Sequence, residues 1–159
     1  MKIAVVSDTH LTQATQAFRN HMRKYFSDAD MMFHCGDMTS MNVYDFLLNW
    51  DIRAVRGNMD DYDLSSTLPE KRIETIEGKR FGIIHGWGSP AGLEQKVLGS
   101  FPDVDAIVFG HSHSPFLKTI RGIRLFNPGS YRGGYHTPGT VGVIDITDTI
   151  NFRHIEIED

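Results

Sequence analysis

Seven side chains capable of binding a metal stand in short motifs along the chain. Asp8 and His10 are separated by one residue, as are His111 and His113, and residues i and i+2 of an extended segment share a face. The other three each stand beside a glycine: Asp37, Asn58 and His85. Two carboxylates, one amide and four imidazoles suit borderline divalent ions such as Mn, Fe, Zn or Ni. Because the amide is neutral, such a site stays positive enough to attract an anionic substrate.

Glycines flank these residues. A glycine directly precedes Asp37, Asn58 and His111, and another directly follows His85. Because glycine has no Cβ, the backbone there can turn tightly and approach a bound ion or phosphate. Simpler structural interpretations exist, since Asp8 could cap a helix and Asn58 could occupy a turn. The ordered set favours a metal site over these interpretations.

The seven residues follow five predicted strands. Short apolar runs predict these strands at Ile3–Val6, Met31–Phe33, Arg53–Arg56, Arg80–Ile84 and Ala106–Phe109. In open α/β sheets, ligands bind beyond the carboxyl ends of the strands. We therefore expect the seven side chains to converge on one rim.

Helices and hairpins complete the predicted framework. Helical periodicity predicts helices at Gln13–Phe26, from Ser40 to Trp50, and at Leu93–Phe101. The β-α-β-α-β order of the first half predicts a parallel sheet with right-handed crossovers. Hairpins are predicted around Glu77-Gly78, around Arg121-Gly122, and between Val141–Ile146 and Asn151–Ile157. With no linker or repeat in the chain, residues 1–159 are predicted to form a single domain.

Composition excludes several classes of protein. With 40% hydrophobic and 23% charged residues, the chain has an ordinary globular balance. Its net charge of −4 makes nucleic acid an unfavourable partner. The longest apolar runs have four residues, far short of the roughly 20 that a membrane helix needs. The one cysteine, Cys35, excludes an internal disulfide and fits a reducing compartment, so we expect a cytoplasmic protein.

The ordered motifs resemble the signature of the calcineurin-like metallophosphoesterases. They are Asp8-Thr9-His10, Gly36-Asp37, Gly57-Asn58, His85-Gly86 and Gly110-His111-Ser112-His113. The late Asn127-Pro128-Gly129-Ser130 and the compact length look like the small YfcE-type phosphodiesterase branch of that family. The resemblance extends from Lys2 to about Ile157.

The resemblance implies a fold, a ligand set and a reaction. The implied fold is a mixed α/β, four-layer αββα sandwich of two β-sheets flanked by helices. The implied ligands are Asp8, His10 and His113 for one ion, Asn58, His85 and His111 for a second, and Asp37 bridging both. Two ions roughly 3.5–4 Å apart would clamp the attacking and leaving oxygens of an in-line displacement. The implied nucleophile is a hydroxide bridging the two ions.

The sequence departs from the larger family directly after Asn58. Many members carry a histidine there, which stabilises the transition state and protonates the leaving group, whereas this chain has Met59-Asp60. Because methionine cannot transfer a proton, Asp60 and metal-bound water are the candidates for the general acid. Asp60 could equally be a solvated loop charge. We place Asn58 and Asp60 among the catalytic candidates, and Asn58 and Arg132 among the candidates for substrate contact.

Other residues carry weaker signals. Arg132 could contact a phosphate or be a solvated loop charge. Trp87 stands where YfcE-type sequences often carry a second histidine, and it could stack on an aromatic leaving group or simply pack. Cys35 is expected to act as a small apolar residue. His21 and His154 are predicted to be surface residues of a helix and a strand.

Three functions follow from this sequence. The leading one is a two-metal phosphodiesterase acting on a small phosphodiester. A phosphomonoesterase is the second, and a non-catalytic interaction scaffold of the same fold is the third. The retromer subunit that shares this fold looks degraded at its metal positions, whereas all seven positions are filled here. A nuclease is disfavoured by net charge and length, and a homo-oligomer stays open.

Overall fold

The computed structural model describes residues 1–158 as ten strands and four helices. The strands are β1 (Lys2–Val6), β2 (Met31–His34), β3 (Ile52–Ala54), β4 (Lys71–Ile76), β5 (Lys79–Ile84), β6 (Ala106–Phe109), β7 (Phe116–Ile120), β8 (Ile123–Asn127), β9 (Thr140–Ile146) and β10 (Ile150–Glu156). The helices are α1 (Gln16–Phe26), α2 (Met41–Leu47), α3 (Tyr62–Thr67) and α4 (Leu93–Leu98). None of these helices is long and apolar enough to cross a membrane.

The first sheet has the order β10-β9-β1-β2-β3. Strands β1, β2 and β3 are parallel, as predicted, while β9 and β10 extend the sheet in antiparallel fashion. Val6 pairs with His34, and His34 pairs with Ala54. Because the three strands end in register, the loops that follow them emerge side by side.

The second sheet has the order β4-β5-β6-β8-β7. Its centre is parallel, and Ile84 at the end of β5 pairs with Phe109 at the end of β6. Strands β4 and β7 join as antiparallel hairpin partners, as predicted. The loops after β5 and β6 therefore also emerge together.

Alternating side chains of single strands build the layers. In β1, Ala4 and Val6 belong to the core shared with the helices, whereas Ile3 and Val5 belong to the core between the sheets. The same alternation in β6 sends Ile107 and Phe109 toward the core that includes α4. The predicted four-layer αββα arrangement of mixed α/β class is confirmed.

Some boundaries differ from the prediction. Helix α3 was not predicted, because Leu64 is its one buried residue and no helical period marks it. Helices α2 and α4 end earlier than expected, at Leu47 and Leu98. Phe101, placed by periodicity on α4, instead packs on Gly82 of β5, where an added Cβ would lie 2.8 Å from the ring.

Candidate metal centre

The loops after β1, β2, β3, β5 and β6 meet at one rim of the two sheets. Backbone hydrogen bonds hold them together: Asp8 N–H donates to the Gly36 carbonyl (3.0 Å), and His10 N–H donates to the Asp37 carbonyl (3.1 Å). Gly110 N–H donates to the His85 carbonyl at 3.1 Å. These bonds fix the spacing of the loops, so the ligand geometry is set by backbone rather than by flexible side chains.

Two groups of ligand atoms form within the rim. One group consists of Asp8, His10 and His113, and the other of Asp8, Asp37 and His85. Within each group the ligand atoms lie within 4.8 Å of one another. Asp8 belongs to both groups, whereas the sequence predicted sharing at Asp37. Asp37 Oδ2 nevertheless lies 3.2 Å from His85 Nε2 and 3.6 Å from His10 Nε2, within reach of both groups.

Each carboxylate has one oxygen fixed and the other directed into the rim. Asp8 Oδ2 accepts hydrogen bonds from Ser7 Oγ (2.6 Å) and from His111 N–H (3.1 Å). Asp37 Oδ1 accepts one from Met59 N–H (2.8 Å). The remaining oxygens, Asp8 Oδ1 and Asp37 Oδ2, face the histidines. This arrangement orients the free oxygens before any ion binds.

The histidines after β5 and β6 are oriented in the same way. His85 Nδ1 donates to the Cys35 carbonyl, and His111 Nε2 donates to the Gly88 carbonyl, both at 2.7 Å. Metal-binding histidines typically donate their second N–H to such a backbone oxygen. His85 therefore offers Nε2, which lies 3.1 Å from Asn58 Oδ1, and His111 offers Nδ1.

Five of the seven predicted ligands fall in the two groups of ligand atoms. Asn58 reaches the cluster through His85. His111 lies beside them, with its ring centroid 5.2 Å from that of His85, but it is in neither group of ligand atoms. The division of ligands between two ions stays a prediction.

Two buried atoms provide a test of whether a cation fits. Within residues 1–158, Asp8 Oδ1 and His10 Nε2 are buried and make no hydrogen bond, while His113 Nε2 lies at ion-pair distance, 3.1 Å, from Asp8 Oδ1. An unsatisfied buried polar group costs about 1–3 kcal/mol, so native proteins rarely retain one without a reason. A cation between the two atoms would satisfy both, and the donor set therefore fits a divalent ion.

The charges at the rim favour the ionised forms of its carboxylates and of His113. Burial acts to raise the pKa of Asp8, but His10, His113 and His85 outweigh it and hold that pKa well below its ordinary value. The pKa of Asp37 is likewise lowered, because His85 outweighs burial. In turn, contact with Asp8 raises the pKa of His113. Two buried carboxylates thus stay ionised and attract cations.

The backbone is strained at the same place. Asp8, His10, Asp37, His111 and His113 all have positive φ angles, between 48° and 73°. Residues other than glycine adopt this left-handed conformation uncommonly, at a cost of order 1–3 kcal/mol each. Five strained residues in one cluster indicate a functional site, and sequence periodicity gives no signal of it.

Two of the flanking glycines, Gly57 and Gly110, leave room for neighbouring side chains to lie close to the backbone. A Cβ on Gly57 would lie 2.1 Å from Asp37 Oδ1, and one on Gly110 would lie 2.0 Å from Ser7 Oγ and 2.7 Å from Asp8 Oδ2. The prediction that these glycines serve tight turns toward an ion therefore needs correction, because they make room for the carboxylates themselves.

Asp60 is tied into the loops by three backbone N–H groups. Its Oδ2 accepts from Gly57 (2.7 Å) and Asp37 (3.3 Å), and its Oδ1 accepts from Thr39 (2.8 Å). Burial raises its pKa, while these donors act in the opposite direction. The interpretation of Asp60 as a solvated loop charge is wrong. With both oxygens occupied, it is also poorly placed to give a proton to a leaving group.

His34 and Thr9 are buried polar residues that the sequence reasoning missed. Gly36 N–H donates to His34 Nδ1 (3.1 Å), so Nε2 carries the proton and donates to Thr9 Oγ1 (2.8 Å). Burial lowers the pKa of His34 to about 3. The signal available in the sequence was the position of His34 directly after the apolar run Met31–Phe33, which indicates a buried histidine. Its neutral ring braces the loops after β1 and β2.

The weaker candidates divide between structural and exposed positions. Burial raises the pKa of the Cys35 thiol, in keeping with an apolar role. His154 is partly exposed on β10, where its ring stacks on Phe126 and donates to the Asn127 carbonyl at 2.7 Å. Arg132 is exposed and donates to the His10 carbonyl at 3.4 Å. Trp87 is 48% exposed beside the rim.

Comparisons with known proteins agree on one family. Residues 1–149 match the profile of the calcineurin-like phosphoesterase superfamily domain. A probable metallophosphoesterase of Methanocaldococcus jannaschii is 34% identical over 163 residues, covering 100% of this chain and 83% of that protein. One of Methanothermobacter thermautotrophicus is 35% identical over 133 residues, or 82% of this chain and 77% of that protein.

Solved structures share the fold. The structure of an archaeal phosphodiesterase has a TM-score of 0.78 at 24% identity, covering 99% of this chain and 100% of that one. Vacuolar protein sorting 29 from Cryptosporidium parvum has a TM-score of 0.72 at 19% identity, covering 99% of this chain and 98% of that one. At these identities the likeness concerns the fold alone.

Proposed function

The chain belongs to the calcineurin-like phosphoesterase superfamily, and from that premise we propose that it is a phosphodiesterase that binds two divalent ions per chain and hydrolyses a small phosphodiester. The observation that carries this proposal is the convergence of Asp8, His10, Asp37, His85 and His113, with two buried ligand atoms left without a hydrogen bond. Manganese, iron, zinc and nickel all suit this donor set.

The ligands would divide as the family pattern implies. Asp8, His10 and His113 would hold one ion, Asn58, His85 and His111 the other, and Asp37 would lie between them. His111 would bind through Nδ1, because its Nε2 donates to the Gly88 carbonyl. When bound, the two ions would supply Lewis-acid charge and lower the pKa of bound water toward about 7.

The chain's own groups orient the reaction. Asp8 and Asp37 each keep one oxygen on backbone or hydroxyl donors, which fixes the direction of the other. Asp60 would act as a positioning residue, because it ties the loop after β2 to the loop after β3. Arg132, anchored at the His10 carbonyl, would contact a phosphate oxygen at the border of the site.

A diester is favoured over a monoester by the residues near Asn58. Met59 replaces the histidine of larger family members, and its side chain is 58% exposed with no proton to give. A monoester carries an additional negative charge that an imidazolium there would have offset. Turnover should therefore depend steeply on the pKa of the leaving alcohol, since general acid catalysis typically contributes about 10²–10⁴-fold.

The test is hydrolysis by metal-free protein before and after Mn²⁺ is added back. Matched substrates are bis(p-nitrophenyl) phosphate, p-nitrophenyl phosphate and methyl p-nitrophenyl phosphate. We expect Mn²⁺-dependent turnover with diesters preferred, abolished by Asp37→Ala and retained by Asp63→Ala, which removes an exposed carboxylate.

Three outcomes contradict the proposal in different ways. Equal turnover without metal would exclude a metal-dependent reaction. A preference for the monoester would favour a phosphomonoesterase. Absence of both metal binding and hydrolysis would favour the scaffold function, for which the shared fold of vacuolar protein sorting 29 is a precedent.

A further inference from the structure

A cavity of about 300 Å³ opens directly beside the candidate metal centre. Two of its lining residues, Asn58 and His85, are also candidate ligands. The other lining residues are Arg56, Gly57, Glu70, Ile84, Gly86 and Trp87. A group bound in this cavity would therefore be adjacent to a phosphate held at the rim, and the six remaining lining residues have no place among the candidate ligands.

Trp87 supplies an apolar wall on an anchored segment. Its backbone lies between His85, which donates to the Cys35 carbonyl, and Gly88, whose carbonyl accepts from His111. Lys96 Nζ donates to the Trp87 carbonyl at 3.2 Å. The segment is thus held at three points while the indole stays half-exposed at the cavity. A half-exposed indole on an anchored backbone offers a stacking surface for a planar group.

The charges in the cavity oppose one another. Arg56 and Glu70 both line it, and Arg56 Nη1 donates to the Leu68 carbonyl at 3.1 Å. A group with its own negative charge would meet the Glu70 carboxylate, and a cationic group would meet the Arg56 guanidinium. Both residues can still form hydrogen bonds with neutral polar atoms. Because the two charges are opposite, the lining of the cavity supplies no net charge that would select a charged group.

We propose that this cavity binds the uncharged, planar organic group of the phosphodiester, an aryl or nucleobase ring stacked on Trp87. The inference rests on the proposed phosphodiesterase function and specifies its substrate class. Trp87 is then a specificity-determining residue, since its contact is with the organic group rather than with the phosphate.

The kinetic test compares two diesters with the same leaving group. Bis(p-nitrophenyl) phosphate retains an aryl group after cleavage, whereas methyl p-nitrophenyl phosphate retains a methyl group. In Trp87→Ala, the ratio of kcat/KM for the aryl over the methyl substrate should fall about tenfold relative to wild type. Trp87→Phe should preserve most of the ratio, and Leu48→Ala, which removes a similarly exposed side chain directly after α2, should leave it unchanged. An unchanged kcat/KM for both substrates in Trp87→Ala would overturn the proposal, whereas an equal loss for both would place the leaving aryl group on Trp87.

A binding test separates this inference from the reaction itself. The chain has two tryptophans, so in a Trp50→Phe background the fluorescence reports Trp87 alone. Adenosine 5′-monophosphate should quench it saturably, whereas ribose 5-phosphate, which lacks the base, should not. If Trp50→Phe fails to fold, the difference between wild type and Trp87→Phe provides the same signal. Quenching without hydrolysis would refute the phosphodiesterase function but support binding of a planar group in the cavity. Hydrolysis without quenching would support the phosphodiesterase function and refute binding in the cavity.

Discussion

Asp60→Asn should destabilise the protein although it changes only one atom of the side chain. Asp60 accepts from the backbone N–H groups of Gly57 and Asp37 on one oxygen and of Thr39 on the other. An asparagine offers one oxygen and one NH₂ group. In its better orientation the asparagine oxygen keeps the hydrogen bonds from the Gly57 and Asp37 N–H groups. Its NH₂ group then faces the Thr39 N–H, which in the wild type donates to Asp60 Oδ1 at 2.8 Å.

The expected cost follows from that count. Loss of one hydrogen bond to a charged group is worth about 1.5–3 kcal/mol, and the Thr39 N–H is left facing a donor in a partly buried position. We therefore expect the free energy of unfolding to fall by about 2–4 kcal/mol. Urea denaturation of metal-free protein, followed by circular dichroism, measures this quantity without contributions from bound ions.

Asp61→Asn is the matched control. Asp61 is the neighbouring carboxylate and the N-cap of α3, where its Oδ1 accepts from Leu64 N–H at 2.9 Å. Its Oδ2 accepts only a long, exposed bond from Met41 N–H at 3.4 Å. Asparagine caps helices about as well as aspartate, so the same change of charge should cost less than about 0.5 kcal/mol there. If Asp60→Asn and Asp61→Asn unfold with the same free energy, the three N–H bonds do not hold the loops together.

Kinetics distinguish positioning from proton donation at Asp60. A positioning role predicts that Asp60→Asn lowers kcat/KM by a similar factor for alkyl and aryl leaving groups, because the ligands are displaced for every substrate. A proton donor predicts a selective loss for alkyl leaving groups, which need the proton. A selective loss with wild-type stability would refute the positioning role and restore Asp60 as the general acid.

Three further changes test other parts of the site. Gly57→Ala should weaken Mn²⁺ binding in calorimetric titrations, because the added Cβ would lie 2.1 Å from Asp37 Oδ1. Gly99→Ala is the control, because a Cβ there has room. Equal Mn²⁺ affinities of the two variants would show that Gly57 does not make room for Asp37. Adding Mn²⁺ to the metal-free protein should raise its Tm. Asp8→Asn should lose most of that rise, because Asp8 belongs to both ligand groups. An undiminished rise in the variant would show that Asp8 does not bind the ion. His34, whose pKa is lowered to about 3, is neutral in the folded state, so the unfolded chain takes up its proton first as the pH falls below about 6.5. The contribution of His34 to stability is complete above that pH and is lost toward about pH 3. The stability advantage of wild type over His34→Gln, measured by urea denaturation, should therefore shrink by at most about 1.4 kcal/mol per pH unit over this range. A constant difference would mean that His34 is not neutral and buried.

Local sequence determined the frame of this protein. The apolar runs of β1 and β2 and the motifs after them predicted parallel strands whose ends carry candidate ligands, and the family resemblance carried by those motifs implied the four-layer fold. These features depend on neighbouring residues, because a strand needs only a short apolar run and a loop needs only a glycine or polar residue after it. The family assignment follows from the same local motifs taken in order.

Only the tertiary structure decided what the individual atoms do. Asp8 Oδ2 is held by its neighbour Ser7 but also by the backbone of His111, more than 100 positions away, which leaves Oδ1 free for a cation. The proposed function of Asp60 depends on three N–H groups, one from its own loop after β3 and two from the loop after β2. The proposed function of Trp87 depends on a cavity shared with residues of the loop after β3. No periodicity encodes such contacts, since they form only when the separate strand ends are brought to one rim.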